Sequence, residues 1–170
     1  DTICSLSTAN GMGAIAIIRL SGKNSISICE KVFFKQNKKI NLSKKKSHTI
    51  HFGLIKDKEI IDEVIISLFK NPKSYTGEDL IEISCHGSIY IQQKILNLLI
   101  KKGARIAKPG EFTLRAFING KIDLSQAEAI GDLISSESES EHRTAIQHMR
   151  GGFSSEIKNL RKQLINFADI

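Results

Sequence analysis

Three charged side chains interrupt apolar surroundings and carry the first chemical signal in the sequence. Arg19 follows the run Ala14-Ile15-Ala16-Ile17-Ile18, Glu82 lies between Ile81 and Ile83, and Lys121 follows the Asn119-Gly120 turn. A carboxylate among apolar neighbours is costly unless it accepts hydrogen bonds. Two readings satisfy that demand. One is a structural ion pair of Glu82 with Arg19. The other is a small-ligand site, in which Glu82 accepts two N–H donors from a heterocycle edge while Arg19 and Lys121 meet anionic groups. Cys85-His86 offers a thiolate and an imidazole side by side, but neighbours on a strand point to opposite faces. A buried Cys85 followed by a loop His86 is therefore expected.

The glycine motifs are weaker. Gly11-Met12-Gly13-Ala14-Ile15-Ala16 has the G-x-G-x-x-A spacing of a dinucleotide fingerprint, which needs a helix after the glycines. A strand is expected there instead. Gly22-Lys23 and Gly120-Lys121 are not followed by Ser or Thr and have no Gly five places upstream, so neither is a P-loop. Cys4, Cys29 and Cys85 are far apart, without a C-x-x-C pair. No metal site and no disulfide framework are expected, and the chain reads as cytoplasmic, or as belonging to an organelle interior derived from bacteria.

The elements that must position these residues follow from composition and periodicity. With 41% apolar and 25% charged residues over 170 positions, the balance is that of a soluble globular protein. Ile91 to Ile100 is the nearest candidate for a membrane span, and Gln92, Gln93, Lys94 and Asn97 interrupt it, so no membrane span is expected. Neither end looks like a natural terminus, so the sequence reads as part of a longer protein. The net charge is +7, and Lys35, Lys38, Lys39, Lys44, Lys45 and Lys46 fall in one Asn/Lys/Ser-rich stretch. That stretch reads as a solvated connection, with weak attraction to nucleic acid as the alternative.

Ile3 to Leu6 predicts a short strand, and Ala14 to Leu20 a strand buried on both faces. Ser25 to Phe34 predicts a helix through Ile28, Cys29, Val32 and Phe33. The alternation around Ile50, Phe52 and Leu54 pairs with Ile60 to Phe69 as a hairpin. Leu80 to Cys85 is a further strand, Ser88 to Lys102 a helix stopped by Gly103, and Arg105 to Ala107 a last strand. Beyond Asp123 the pattern turns helical. Ser125-Gln126-Ala127-Glu128 has capping-box spacing, and Phe153, Ile157, Leu160, Leu164 and Phe167 form a stripe. The fold class is α+β over residues 1–120, with a mixed sheet, followed by an all-α helical region over 121–170.

Four strings carry a resemblance: Gly13 to Gly22 (GAIAIIRLSG), Ser74 to Gly87 (SYTGEDLIEISCHG), Pro109 to Phe117 (PGEFTLRAF) and Asn119 to Ala129 (NGKIDLSQAEA). Together, and in this order, they resemble the bacterial tRNA-modification GTPase family (MnmE/TrmE). The resemblance implies an amino-terminal domain similar to the tetrahydrofolate-binding domain of the glycine-cleavage T-protein. It also implies homodimerisation and binding of 5-formyltetrahydrofolate through Arg19, Glu82 and Lys121. The family's whole protein works with the FAD protein MnmG on carbon 5 of the wobble uridine in tRNA. Its GTP, Mg2+ and K+ belong to a GTPase domain outside these residues. Thr8-Ala9 stands where the family usually has Thr-Pro, and Ser88 where it often has a second Gly. A stand-alone RNA-binding adaptor and a folate-dependent aminomethyltransferase-like protein are the alternatives.

One expectation follows from the missing P-loop. The purified chain should show no saturable GTP binding and no GTP hydrolysis; either, measured by equilibrium dialysis or phosphate release, contradicts the reading.

Overall fold

The computed structural model describes residues 1–36 and 38–168, apart from the side chains of Phe153 and Ala168. In chain order the elements begin β1 (Ile3–Leu6), β2 (Ile15–Ser21), α1 (Ser25–Glu30), β3 (Phe33–Lys35), β4 (Lys38–Lys39) and β5 (Thr49–Lys56). They continue with β6 (Ile60–Phe69), β7 (Leu80–His86), α2 (Ile89–Lys101), β8 (Arg105–Ile106) and α3 (Glu111–Ile118). Three helices close the chain: α4 (Leu124–Ser135), α5 (Glu139–Met149) and α6 (Gly152–Ala168). The eight strands form one mixed sheet in the order β4-β3-β5-β6-β7-β2-β1-β8, antiparallel except for the β1–β8 pair. The class is α+β followed by helices, as the pattern predicts.

The Ile-rich strand β2 is central and does not behave as predicted. Ala16, Ile18 and Leu20 are buried, whereas Ile17 and Arg19 are only half-buried and Ile15 is exposed. Helices α1 and α2 supply Ile26, Ile28, Cys29, Ile95, Leu98 and Leu99 to one core cluster with the buried side of β2, β6 and β7. That accounts for one face. At about 1.5–3 kcal/mol per fully buried aliphatic side chain, this packing drives the fold. The opposite face stays open, because an unbroken aliphatic run fits a one-sided strand as well as a two-sided one.

Two further corrections concern local structure. The predicted helix Ser25 to Phe34 is six residues long, and Phe33 instead begins β3. Phe33 is fully buried against β5, where a side chain on Gly53 would meet its ring at 2.5 Å and the Phe34 carbonyl at 2.4 Å. Pairing with β5 therefore overrides the helical period. The Lys-rich stretch is likewise not all loop, since Lys35, Lys38 and Lys39 lie on the outermost strands β3 and β4. Helix α3 was not predicted; its signal lies in Pro109-Gly110, after which Glu111 accepts from the Lys108 N–H at 2.7 Å.

The chain divides into two compact units, Asp1–Arg115 and Ala116–Ile170. In the second, the capping box at the start of α4 is set two residues earlier than predicted. Asp123, not Ser125, is the N-cap, accepting from the Gln126 N–H at 2.9 Å while the Gln126 side chain accepts from the Asp123 N–H at 3.0 Å. Asp123 has the charged acceptor, and Ser154 and Ser125 hydroxyls also donate to it. These donors, Ser154 foremost, hold its carboxyl below the usual range. Ala129 and Ala145 are buried, while Ile157, Leu160, Leu164 and Phe167 of the α6 stripe are exposed. The side chain of Phe153 lies outside the described residues. Among the described residues no helix is long and apolar enough to cross a membrane.

In the first unit, the start of α3 is held by a charge network. Arg105 donates to both oxygens of Glu111, at 2.9 and 2.6 Å, and Arg115 binds Glu111, Glu78 and Asp1. The Arg105 hydrogen bonds, more than any other partner, pull the Glu111 carboxyl down to about 2 from 4.5. A depressed carboxyl stabilises the fold above its unfolded pKa and loses that contribution as pH falls towards the folded one. Between about pH 4.5 and 2 the chain should thus lose roughly 1–2 kcal/mol through Glu111, given the solvent screening of Arg105. Glu111→Gln should lower stability at pH 7 and flatten the profile in that window. An unchanged acid profile in chemical denaturation contradicts the assignment.

Candidate functional site

The open face of the sheet holds the site. Strands β2 and β7 pair with Arg19 opposite Glu82, and directly opposed residues share a face. Both side chains therefore leave the core together. Arg19 donates from Nε at 3.0 Å and from Nη2 at 2.6 Å, and both bonds converge on Glu82 Oε1. Neither Arg19 bond uses Oε2. The pair is about three-quarters buried, with 24% and 27% of the side chains exposed. It is dry enough for the remaining oxygen to be a strong acceptor and open enough for a ligand to reach it.

Two aromatic rings flank the pair, and the motif reading missed both. The Arg19 guanidinium lies 5.1 Å from the Tyr75 ring centroid and 5.5 Å from that of Phe112. Cation–π contact holds Arg19 in place. Tyr75 is fixed by a 2.9 Å hydrogen bond between its hydroxyl and Thr113 Oγ1. The Tyr75 loop is anchored beneath: Ser21 Oγ meets Thr76 Oγ1 at 2.7 Å and donates to Glu78 Oε2 at 2.8 Å, and Arg115 binds the same carboxylate. Gly22 and Ser25 both donate to the Asp79 carbonyl. The signal for Tyr75 and Phe112 lay in the two strings that contain them, yet neither an aromatic in a polar loop nor one at the start of a short helix has a periodicity to mark it.

Of the three predicted site residues, the structure joins Arg19 and Glu82. Lys121 lies in the second unit, exposed, just beyond α3, with its backbone N–H on the Ala116 carbonyl at 2.8 Å.

Cys85 and His86 do point apart. Cys85 is buried, with its thiol on the Ala16 carbonyl at 3.5 Å, and burial raises its pKa to about 11. Such a thiol is inert. Burial likewise raises Cys4 to about 11 and Cys29 to about 12. His86 is not in a loop but ends β7. Its Nδ1 lies 2.7 Å from Oδ1 of buried Asp62, and its backbone N–H donates to Oδ2 at 2.8 Å. The neighbouring Gly11–Gly13 turn is clamped there, because Gln92 donates to the carbonyls of Gly11 and Gly87. A side chain on Gly87 would strike the Gly13 carbonyl at 2.2 Å. The G-x-G spacing thus serves a close turn between strands.

Comparison with known proteins adds the family. Residues 2–121 match the model described as the GTP-binding protein TrmE N-terminus, and residues 124–169 match the MnmE helical domain. The whole chain aligns at 59% identity with the tRNA modification GTPase MnmE of Flavobacterium johnsoniae, covering 36% of that protein. It aligns at 54% with the proteins of the same name from Cytophaga hutchinsonii and Bacteroides thetaiotaomicron, covering 36% and 37% of them. The chain thus spans little more than a third of the length of the curated relatives it matches. With both matched segments and this level of identity, the chain belongs to the TrmE/MnmE family of tRNA modification GTPases.

Proposed function

We propose that this chain is the folate-binding and dimerising portion of a GTP-hydrolysing tRNA-modification protein. The carrying observation is the Arg19–Glu82 pair, in which both Arg19 bonds converge on one carboxylate oxygen while the rings of Tyr75 and Phe112 lie beside the guanidinium. A pterin presents adjacent N–H donors on one edge and a flat face, which fit the free Oε2 and the rings of Tyr75 and Phe112. In this reading Glu82 orients the heterocycle and Arg19 holds Glu82. Lys121 meets anionic groups of the ligand. The bound group, 5-formyltetrahydrofolate, supplies a one-carbon unit; the chain's own residues bind and orient it.

The remaining parts of the proposal come from the family. Residues 1–120 form the folate and dimerisation domain, and 121–170 belong to the helical domain. The whole protein hydrolyses GTP with Mg2+ and K+ on a domain beyond these residues. In the cytoplasm, with MnmG, it modifies carbon 5 of the wobble uridine of tRNA. Support for the homodimer lies on the open face, where Phe52 and Ile65 stand opposite one another and Ile50 is 71% exposed. Apolar side chains grouped this way favour a partner surface.

Glu82→Gln should separate the two roles of this carboxylate. Gln keeps an acceptor for Arg19 but turns an N–H towards the ligand's donors. Losing a charge-assisted hydrogen bond costs about 1.5–3 kcal/mol, so 5-formyltetrahydrofolate affinity should fall by roughly ten- to several-hundredfold with little change in Tm. Lowered Tm with unchanged affinity would leave only a structural ion pair. For the dimer, Phe52→Glu should shift the chain to a monomer in sedimentation equilibrium. A wild-type chain that is monomeric at high micromolar concentration contradicts the dimer reading.

A further inference from the structure

The net charge of the molecule is concentrated at one sheet edge. Residues 31–56 contain eight lysines (Lys31, Lys35, Lys38, Lys39, Lys44, Lys45, Lys46 and Lys56) and no Asp or Glu. Since the chain carries +7 overall, everything outside this segment has a net charge of −1. The fold gathers the segment onto β4, β3 and β5, the three strands at one end of the sheet, and onto the loop joining β4 to β5. Seven of the eight lysines are exposed, Lys56 being partly covered over the Phe34 ring. Among the described residues none of the eight forms an ion pair with a carboxylate. Lys70 reaches into the same loop, donating to the Ser43 carbonyl at 2.6 Å.

The charges also converge in space. After burial, the positive charges of Lys45 and Lys35 are what lower the pKa of His51 on β5. These lysines are ten residues apart, yet both act on one imidazole. The acids beside the segment are Glu30, which accepts from the Ser43 N–H at 2.9 Å, Glu63 on β6, and Asp57, which follows Lys56 and pairs with Lys101 and Lys102. Lysines on an edge strand also oppose edge-to-edge pairing, which accounts for Lys38 and Lys39. Lys44, Lys45 and Lys46 lie outside any strand and gain nothing from that role. A concentration of unpaired ammonium groups this dense costs self-repulsion, which a polyanion relieves by releasing its counterions.

We infer that the β4–β3–β5 edge and its Lys44–Lys46 loop form a docking surface for the phosphate backbone of RNA. Lysine, a point charge, suits backbone contact without base reading. The inference rests on the proposed reading that the parent protein acts on tRNA.

The test is binding of the full chain to a labelled tRNA transcript across a series of KCl concentrations. Replacing Lys44, Lys45 and Lys46 by Gln should weaken binding tenfold or more near 0.1 M salt and reduce the log–log salt slope by about 2–3. Lys35→Gln, Lys38→Gln and Lys39→Gln together should act alike. A matched triple elsewhere in the same unit, Lys23→Gln, Lys94→Gln and Lys108→Gln, should change affinity less than threefold. Equal effects of edge and control triples, or unchanged affinity in both edge triples, would overturn the proposal. So would tight binding to phosphatidylserine vesicles without binding to RNA. Folate titration of the same samples keeps the two readings apart: loss of RNA binding with folate binding intact concerns only this edge.

Discussion

The register between β2 and β7 is the constraint on which the rest depends. It places Arg19 opposite Glu82 and, by the same step, Ile18 opposite Ile83 and Leu20 opposite Ile81. Side chains alternate with a period of two, so a slip of one residue would send the ion pair into the core and the isoleucines into solvent. The core cluster beneath α1 and α2 therefore enforces the geometry of the site above it. Stability and binding geometry share a single pairing, and neither can drift without the other.

Around that register the structure spends much of its polar bonding on one loop. Ser21, Ser25 and Gly22 of the β2–α1 connection, together with Arg115 of α3, hold the segment that carries Tyr75 against Arg19. Glu111 in turn fixes Arg115 and Arg105. The site is thus built on strands and braced by a network. That arrangement keeps side chains pre-organised at a low entropic cost of binding. The Asp62–His86 pair ties β6 to the far end of β7.

Much of this was legible in the sequence, and the failures are physically informative. Arg19 and Glu82 stood out because charge among aliphatics demands a partner, and the structure pairs them. The flanking rings did not stand out, because Tyr75 is set by loop anchoring that no local period encodes and Phe112 lies at the start of the short helix α3. Phe33 fitted a helical stripe equally well, and only the space over Gly53 made it a strand residue. The Ile-rich run of β2 could not reveal its open face, because the sequence of one strand does not say how many layers cover the sheet. Asp123 won the helix cap from Ser125 because a carboxylate accepts more strongly and Ser154 lies within reach.

The central claim is that Oε2 of Glu82, the oxygen that Arg19 leaves unused, accepts the donor edge of a reduced pterin. Its most direct measurement is calorimetric titration of the unaltered chain with 5-formyltetrahydrofolate and with the analogue lacking the pterin 2-amino group. The account predicts saturable binding of the first and at least tenfold weaker binding of the second, the loss of one charge-assisted hydrogen bond. Equal affinity for both, or no saturable binding of either, would contradict it.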